Sequence, residues 1–270
     1  MQATTALTHD RDLGRVRSFR HHLADGTATT VHAAIYDRAG ASLDVVAMVP
    51  AEQLATWCAR SGVADALVGG FFVTPVGTPL GELWVGGGHV ETTPFDAPWG
   101  AVRSCVTIDD GRIALGPRDT FPVRPAGDLL QAGPMLVSGG VVAGAAIDDR
   151  EGFTAGSVQF DSDIRDGRHP RAALGIDDDR IVAVVCDGRA DDEAGLTLPE
   201  LAVLMVSLGV RDAINLDGGG SATLIAGGRM LNRPRASWNV DLVGGRPLAT
   251  AIAIRPRVDG QRRASAAASA

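Results

Sequence analysis

The clearest pattern along the chain is an apolar run, an amphipathic segment and a second apolar run. Residues 180–186 form a continuous, largely β-branched stretch, which is typical of a strand buried on both faces. Apolar side chains then recur at helical spacing over residues 198–208, and Gly209 follows as a stop signal. Residues 213–216 are the next apolar stretch. The pattern therefore predicts a strand, a helix and a second strand.

Two polar positions mark where this helix begins. Thr197 directly precedes the helical pattern, and Glu200 lies three residues after Thr197, with Pro199 between them. This is the arrangement of a capping box, in which each side chain satisfies a backbone N–H group at the start of the helix. The unit has the length of a parallel crossover. Residues 187–189 and 217–221 would then lie side by side at the carboxyl edge of the sheet, where open α/β sheets bind ligands.

The rest of the pattern predicts a fold class and domain boundaries. Further strands are expected at residues 31–36, 43–49, 102–108 and 249–254, and a further helix at residues 51–60. We predict an α/β fold of mixed α+β type, with mixed β-sheets, flanking helices and a βαβ unit that carries the site at its strand carboxyl ends. One domain is expected over residues 21–257, after a variable N-terminal extension (1–20) and before a disordered, Ala/Ser-rich tail (258–270).

Residues 215–221, Asn-Leu-Asp-Gly-Gly-Gly-Ser, have the composition of a site. They put a carboxylate, three glycines and a hydroxyl directly after an apolar strand. Consecutive glycines let the backbone reach φ > 0 and turn several N–H groups toward one point, where an anion can approach without meeting a Cβ atom. The alternative is a loose, flexible turn, since glycine clusters are also common in loops.

Residues 195–202 and 215–221 resemble the phosphodiester glycosidase family. Weaker matches bring the region of resemblance to residues 64–255; they lie at residues 66–72, 132–134, 169–171 and 246–247. The resemblance implies hydrolysis of a sugar 1-phosphodiester, with release of the sugar and of a phosphomonoester. The implied partner is a small-molecule or glycan phosphodiester. The substrate-binding candidates are Gly69, Gly70, Arg171, Asn215, Gly218, Gly219, Gly220 and Arg246.

Three positions depart from the family pattern. Val68 stands where an Asn usually precedes Gly-Gly, Ala172 stands in place of a Thr, and Thr250 stands in place of an Asn. Either the chain takes a different substrate or its activity is reduced. Two alternative interpretations follow, namely another glycan or phosphodiester hydrolase on the same scaffold and a non-catalytic sugar- or phosphate-binding protein.

Hydrolysis of a sugar phosphodiester needs a carboxylate and donors to the phosphate. Cleavage of the glycosidic C–O bond makes an oxocarbenium-like centre that a carboxylate stabilises or attacks, whereas phosphate leaves with little protonation. Asp217 is the first candidate for this carboxylate and Asp187 the second, with a turn or capping Asp as the alternative for both. Ser221 could bind the phosphate or the sugar, or act as a nucleophile. His169 could act as a general acid or base, or be an ordinary loop residue.

Arg171 and Arg246 are candidate phosphate clamps. A guanidinium group binds two phosphate oxygens with parallel hydrogen bonds, which a single ammonium cannot reproduce. The alternative for each is a surface ion pair, which contributes little.

Composition limits the partners and the compartment. The net charge of −7 gives no basic field for nucleic acid, although all 25 cationic residues are Arg. The three cysteines are odd in number and widely spaced, which indicates a reducing compartment rather than a disulfide framework. The pattern shows neither a signal peptide nor a membrane span. We therefore expect a cytoplasmic protein with no membrane partner, or a secreted one if a leader has been removed from this chain. The sequence leaves the oligomeric state open.

No metal or other cofactor is predicted. Asp161, Asp163 and Asp166 faintly resemble a calcium loop but lack the Gly and terminal Glu spacing of an EF-hand. Residues 177–179, three consecutive Asp, are expected to be a solvated turn between two strands. A divalent ion that bridges the two candidate carboxylates and a phosphate oxygen stays open.

Overall fold

The computed structural model describes residues 14–73, 77–154 and 164–257. Strands and bridges make up 47% of the described residues and helices 14%, so the protein is mainly β with a few helices. The predicted α/β class therefore holds only in part. Asp161, Asp163 and the predicted tail lie outside the described residues.

The strands are numbered in chain order. They are β1 (Gly14–His22), β2 (Ala28–Asp37), β3 (Ala41–Gln53), β4 (Asp65–Val68), β5 (Phe72–Val73), β6 (Thr78–Pro79), β7 (Leu83–Val85), β8 (Gly88–His89), β9 (Ser104–Asp109), β10 (Arg112–Pro117), β11 (Asp128–Gln131), β12 (Met135–Ser138), β13 (Val141–Val142), β14 (Arg171–Ile176), β15 (Arg180–Cys186), β16 (Asp212–Asn215), β17 (Leu224–Ala226), β18 (Arg229–Met230), β19 (Arg235–Ser237), β20 (Val240–Asp241) and β21 (Pro247–Pro256).

The α-helices are α1 (Leu54–Ser61), α2 (Trp99–Val102), α3 (Gly144–Ile147) and α4 (Leu198–Ser207). Arg118–Thr120 and Gly219–Ser221 form single 3₁₀ turns. None of the described helices is long and apolar enough to span a bilayer.

A seven-stranded sheet in the order β1-β2-β15-β14-β16-β12-β13 forms the centre of the fold. Every neighbouring pair in this sheet is antiparallel. β15 and β16 therefore point the same way, as predicted, but they are not adjacent, because β14 lies between them. The reason is the turn at residues 177–179, which folds β14 back onto β15 as a hairpin.

Two further sheets pack on the inner face of the seven-stranded sheet. Their strand orders are β18-β17-β4-β21-β3 and β10-β9-β11-β7-β8. β15 shows why its sequence is apolar throughout: Ala183 and Val185 belong to the inner core, whereas Val182 and Val184 belong to the outer core under α4. A strand that is packed on both faces has no position for a polar side chain.

Helix α4 begins and ends as the sequence predicts. The Thr197 Oγ1 atom accepts a hydrogen bond from the Glu200 N–H group at 3.2 Å, and the Thr197 N–H group donates to Glu200 Oε2 at 2.9 Å. Gly209 follows the helix with φ +79°, a conformation that side chains with a Cβ rarely adopt. The capping box and the glycine stop are confirmed.

Several predicted boundaries differ from the observed ones, and three of the differences concern where an element or the domain begins. The helix expected at 51–60 begins at Leu54, because β3 continues to Gln53 in its pairing with β21. The strand expected at 102–108 begins at Ser104. The boundary placed at residue 20 falls inside β1, all of which pairs with β2.

Candidate active site

The carboxyl ends of β15 and β16 and the amino end of β14 border a cavity of about 290 Å³. Seven of the residues predicted to bind or act on a substrate line it: Arg171, Asn215, Asp217, Gly218, Gly219, Gly220 and Arg246. The other lining residues are Phe71, Ile164, Arg189, Leu216 and Ala236. The structure thus brings the Asp-Gly-Gly-Gly turn and both candidate clamps to one place, although their roles stay predictions.

Asp217 is half-buried at the point where β16 ends. Its N–H group donates to the Gly69 carbonyl at 3.0 Å, which ties the end of this strand to the segment after β4. Its Oδ1 atom accepts a hydrogen bond from the Gly218 N–H group at 2.9 Å. The first bond fixes the main chain at Asp217, and the second orients its carboxylate.

The three glycines do not form the cradle of N–H donors that their sequence predicts. The Gly218 N–H group is used by Asp217, and the Gly219 N–H group donates to the Pro170 carbonyl at 2.8 Å. Two of the three donors therefore stabilise the turn itself. The glycines serve close packing instead: Gly219 has φ +56°, and a Cβ atom on Gly218 would lie 2.9 Å from the Pro170 carbonyl oxygen.

Arg171 is a buried side chain at the start of β14, with 3% of its surface exposed. Its guanidinium donates to three main-chain carbonyls, from Leu196 at 2.9 Å, Ile164 at 2.8 Å and Gly167 at 3.3 Å. The side chain therefore joins the loop before β14 to the loop before α4. Its role as a phosphate clamp stays a prediction.

Arg246 is held much less tightly. It is half-buried beside the 3₁₀ turn, and a Cβ atom on Gly220 would lie 2.9 Å from its Nη2 atom. Within the described part of the chain, no hydrogen bond or ion pair engages its guanidinium. This side chain can therefore donate to an anion without giving up a protein partner.

Arg189 is a cavity residue that sequence reasoning missed as a candidate. It follows β15 with φ +60°, and its Nη1 atom donates to the carbonyls of Arg235 at 3.2 Å and Ala236 at 2.8 Å. The sequence signal that could have identified Arg189 is its position directly after Asp187-Gly188, at the end of the apolar run that forms β15. Ala236 comes from the β19–β20 hairpin, and no local pattern connects that hairpin with β15.

Asn215 lies at the floor of the cavity, fully buried at the end of β16. Its Nδ2 atom donates to the Gly133 carbonyl at 2.9 Å. Because a carbonyl only accepts, this bond fixes which end of the amide carries the oxygen. The Oδ1 atom is buried and has no hydrogen-bond partner among the described residues.

Asp187 does not line the cavity, although it closes the neighbouring strand. Its Oδ2 atom is 3.3 Å from His32 Nε2, and its Oδ1 atom accepts from the Arg233 N–H group at 2.7 Å. His32 Nδ1 is in turn 2.8 Å from the Ser18 hydroxyl on the edge strand β1. Asp187 therefore links the end of β15 to β2 and to the loop before β19. It lies beside the cavity and not in its wall, because β14 separates the ends of β15 and β16.

Ser221 and His169 are also outside the cavity wall. Ser221 is 1% exposed, and its N–H group donates to the Gly218 carbonyl at 3.0 Å as part of the 3₁₀ turn. The His169 Nε2 atom is 2.8 Å from the Asp166 carbonyl oxygen, and its backbone pairs with Leu196. Neither side chain is among the described residues that border the cavity.

Gly69 and Gly70 lie where the segment after β4 packs closely against β21 and β11. A Cβ atom on Gly69 would lie 2.5 Å from Thr250 Oγ1, and one on Gly70 would lie 2.9 Å from the Gln131 carbonyl oxygen. The Thr250 hydroxyl accepts from the Gly70 N–H group at 2.9 Å. The three departures from the family pattern, Val68, Ala172 and Thr250, are all buried in strands, and none is a described lining residue.

Thiol and metal chemistry have little support among the described residues. Burial raises the pKa of the Cys186 thiol, next to Asp187, to about 12, so this thiol is protonated at neutral pH. No group of three or more His, Cys, Asp or Glu side chains that could hold a metal ion occurs in the described ranges. The requirement for a cofactor stays untested.

The fold and the cavity define an antiparallel β protein with a carboxylate and three guanidinium groups around one small site. A family model described as phosphodiester glycosidase matches residues 61–255, and the chain belongs to this family. No curated protein matches the chain.

Solved structures with the same fold include two that cover most of this chain. The catalytic domain of zebrafish N-acetylglucosamine-1-phosphodiester alpha-N-acetylglucosaminidase, auto-inhibited by its pro-peptide, is similar at 21% identity and a TM-score of 0.69, covering 94% of this chain and 88% of that one. A hypothetical protein from Synechocystis is similar at 16% identity and a TM-score of 0.64, covering 95% of this chain and 64% of that one. At these identities the likeness shows the fold alone.

Proposed function

We propose that this chain is a hydrolase that cleaves sugar 1-phosphodiesters between the anomeric carbon and the phosphate oxygen. The observation that carries the proposal is the meeting of one carboxylate, Asp217, with the guanidinium groups of Arg171, Arg189 and Arg246 around one cavity. Membership of the phosphodiester glycosidase family supports it, as does the activity in the name of the zebrafish relative.

A phosphate leaving group needs fewer carboxylates than an alcohol does. Most glycosidases use two carboxylates, because an alcohol leaves only when an acid protonates it. Among the described lining residues of this cavity, Asp217 is the single carboxylate. A phosphate monoester is a weak base and leaves without an acid, so one carboxylate and cationic donors are sufficient for this substrate.

The proposed reaction balances with water as the second substrate. The bond between the anomeric carbon and the bridging oxygen breaks, and the phosphomonoester leaves with that oxygen and the electron pair. The developing positive charge on the sugar is stabilised or captured by Asp217. Water then supplies the new hydroxyl on the anomeric carbon and releases a proton.

Arg246 is the residue that we assign to the phosphate. Its guanidinium makes no hydrogen bond to the described part of the protein, so it can donate to the phosphate oxygens at no cost to the fold. Arg189 and Arg171 add positive charge to the same cavity while their other hydrogens hold the surrounding loops.

A substrate panel tests the proposal. Wild-type protein should hydrolyse a sugar 1-phosphodiester faster than an aryl glycoside or an aryl phosphodiester. Asp217→Asn should lower this activity by about 10²-fold or more, because the change is nearly isosteric and removes the charge that the transition state needs. Asp109→Asn, at the exposed end of β9, is the matched control and should leave the rate unchanged.

The same substrate panel also tests the two alternative functions, another hydrolase and a non-catalytic binding protein. Preference for the aryl glycoside or the aryl phosphodiester would identify another hydrolase on this scaffold. Binding without turnover of any substrate would identify a sugar- or phosphate-binding protein. Activity of Asp217→Asn within about threefold of wild type would remove Asp217 from the reaction.

A further inference from the structure

Three side chains on the seven-stranded sheet form a hydrogen-bonded chain that the proposed function does not use. Ser18 pairs with His32 across β1 and β2, and the Ser18 Oγ and His32 Nδ1 atoms are 2.8 Å apart. The His32 Nε2 atom is 3.3 Å from the Oδ2 atom of Asp187, which directly follows β15. A hydroxyl, an imidazole and a carboxylate in this order are the parts of a serine hydrolase triad.

The carboxylate determines which ring nitrogen of His32 carries the proton. A carboxylate accepts hydrogen bonds and cannot donate them, so the neutral imidazole donates from Nε2 to Asp187. The Nδ1 atom then has a lone pair, and the proton between Nδ1 and Ser18 Oγ belongs to the hydroxyl. The Ser18 hydroxyl therefore donates to His32, which is the direction that a general base requires.

Burial along this chain of side chains also suits catalysis. His32 and Asp187 are each 8% exposed, whereas Ser18 is an exposed residue. The Asp187 Oδ1 atom accepts from the Arg233 N–H group, so a second bond orients the carboxylate. The base is thus fixed inside the protein, and the residue that it activates is open to solvent.

The strand β1 can supply donors beside the Ser18 hydroxyl. Within the described residues, β1 is the edge of its sheet and β2 is its neighbour. Alternate N–H groups of an antiparallel strand point toward its partner, so the other N–H groups of β1 point outward. Outward N–H groups near Ser18 can donate to the negatively charged oxygen that forms when a nucleophile attacks an acyl carbon.

We propose that Ser18 and His32 form a second hydrolytic site, which acts on carboxylic esters, and that Asp187 positions His32 within it. Ser18 is the nucleophile and His32 the general base. Neither is among the described residues that line the cavity, so this site goes beyond the proposed function and does not depend on it.

The proposed reaction has two balanced steps. As Ser18 Oγ bonds to the acyl carbon, its proton passes to His32 Nδ1. The ester C–O bond then breaks, and the alcohol leaves with the electron pair of that bond and the proton from His32. Water next attacks the acyl carbon on Ser18 and gives a proton to His32, which returns it to Ser18 Oγ as the carboxylic acid leaves.

Hydrolysis of p-nitrophenyl acetate tests the site. Ser18→Ala and His32→Gln should each lower the protein-dependent rate by about 10²-fold or more, because a nucleophile and its base act as a unit. Ser138→Ala, which removes an exposed hydroxyl at the end of β12, is the matched control and should keep the wild-type rate. Ser18 is exposed, so Ser18→Ala should stay folded and decides the test even if His32→Gln does not fold.

A fluorophosphonate gives a readout that does not depend on turnover. It bonds to an activated serine with loss of fluoride, and mass spectrometry of the digested protein should place the adduct on Ser18. Asp187→Asn should slow this labelling by about 10²-fold or more, because an amide can donate to Nε2 and leave the proton on Nδ1, where it blocks the base. The midpoint of unfolding in urea checks that this variant is folded.

The outcomes divide clearly. An adduct on Ser18, together with an ester hydrolysis rate that Ser18→Ala removes and Ser138→Ala keeps, would support the site. A Ser18→Ala rate equal to that of wild type, or an adduct confined to other serines, would overturn it and leave His32 as a structural link between β1 and β15. Labelling of folded Asp187→Asn at the wild-type speed would overturn the positioning role of Asp187.

Discussion

Arg171 and Arg246 look alike in the sequence but have different surroundings in the folded chain. Arg171 donates to three carbonyls from inside the protein, whereas the guanidinium of Arg246 lies beside Gly220 with no partner among the described residues. Burial and hydrogen bonding thus divide two cationic candidates into one that holds loops together and one that can hold a ligand.

Matched lysine substitutions distinguish these two roles. Arg246→Lys should lower kcat/KM for a sugar phosphodiester tenfold or more, about 1.4 kcal/mol, because an ammonium cannot grip two phosphate oxygens at once. Its midpoint of unfolding in urea should not change. Arg171→Lys should instead lower the free energy of unfolding by about 1–3 kcal/mol, since buried carbonyls would lose their donors.

The same measurements would also reveal the reverse assignment, in which Arg171 binds the phosphate and Arg246 does not. A wild-type rate for Arg246→Lys would take its guanidinium away from the phosphate. An Arg171→Lys variant with unchanged stability but a strongly reduced rate would make Arg171 the clamp.

The sequence predicts which residues form the Asp-Gly-Gly-Gly turn, but not which acceptors their N–H groups bind. Asp217 and the three glycines line the cavity, yet the N–H groups of Gly218 and Gly219 bond to Asp217 and Pro170. The residue types show that a tight turn is possible. Which acceptors it meets depends on β14, and that strand arrives by long-range pairing.

At the scale of elements, the 3₁₀ turn Gly219–Ser221 sets the position of Arg246. A Cβ atom on Gly220 would lie 2.9 Å from Arg246 Nη2 and 3.2 Å from the Arg235 carbonyl oxygen. The first atom is the end of a flexible side chain and can move, whereas the second belongs to the backbone and can give only a little.

Gly220→Ala should therefore displace the Arg246 guanidinium and leave the protein folded. We expect kcat/KM for the phosphodiester to fall by about 10-fold to 10²-fold, the usual effect of misplacing a group by about 1 Å. Gly40→Ala is the control: a Cβ atom there would have only an ordinary contact at 3.8 Å from the Asp37 carbonyl oxygen. Full activity of Gly220→Ala would show that the turn does not set the position of Arg246.

The bounds of individual strands and helices were more predictable than the order of the strands in the sheet. Residues 180–186 form β15 with the bounds that the apolar run predicts, and the capping box begins α4 where expected. The position of β14 between β15 and β16 was not predictable in this way, because it depends on pairing between β14 and β16 across the whole of α4. This one insertion also moves Asp187 out of the cavity.

For the whole molecule, the predicted fold class holds only in part, because the protein is mainly β with a few helices. The βαβ unit is real, but the strands around it are joined by hairpins and pair antiparallel, so the sheets need few helices to cover them. The apolar pattern shows which segments are buried without showing which strand lies beside which. The family resemblance did not depend on the order of the strands, because it rests on motifs at the strand ends.

Whether the protein is a glycosidase or a phosphodiesterase depends on which bond of the diester breaks. A glycosidase breaks the bond between the anomeric carbon and the bridging oxygen, whereas a phosphodiesterase breaks a bond between phosphorus and oxygen. When that second bond is the one to the sugar oxygen, both reactions release the same sugar and phosphomonoester in ordinary water. Hydrolysis of a sugar 1-phosphodiester in water labelled with oxygen-18, followed by mass spectrometry of both products, separates them. The account predicts the label on the anomeric hydroxyl of the sugar and none in the phosphomonoester. Label in the phosphomonoester would contradict it.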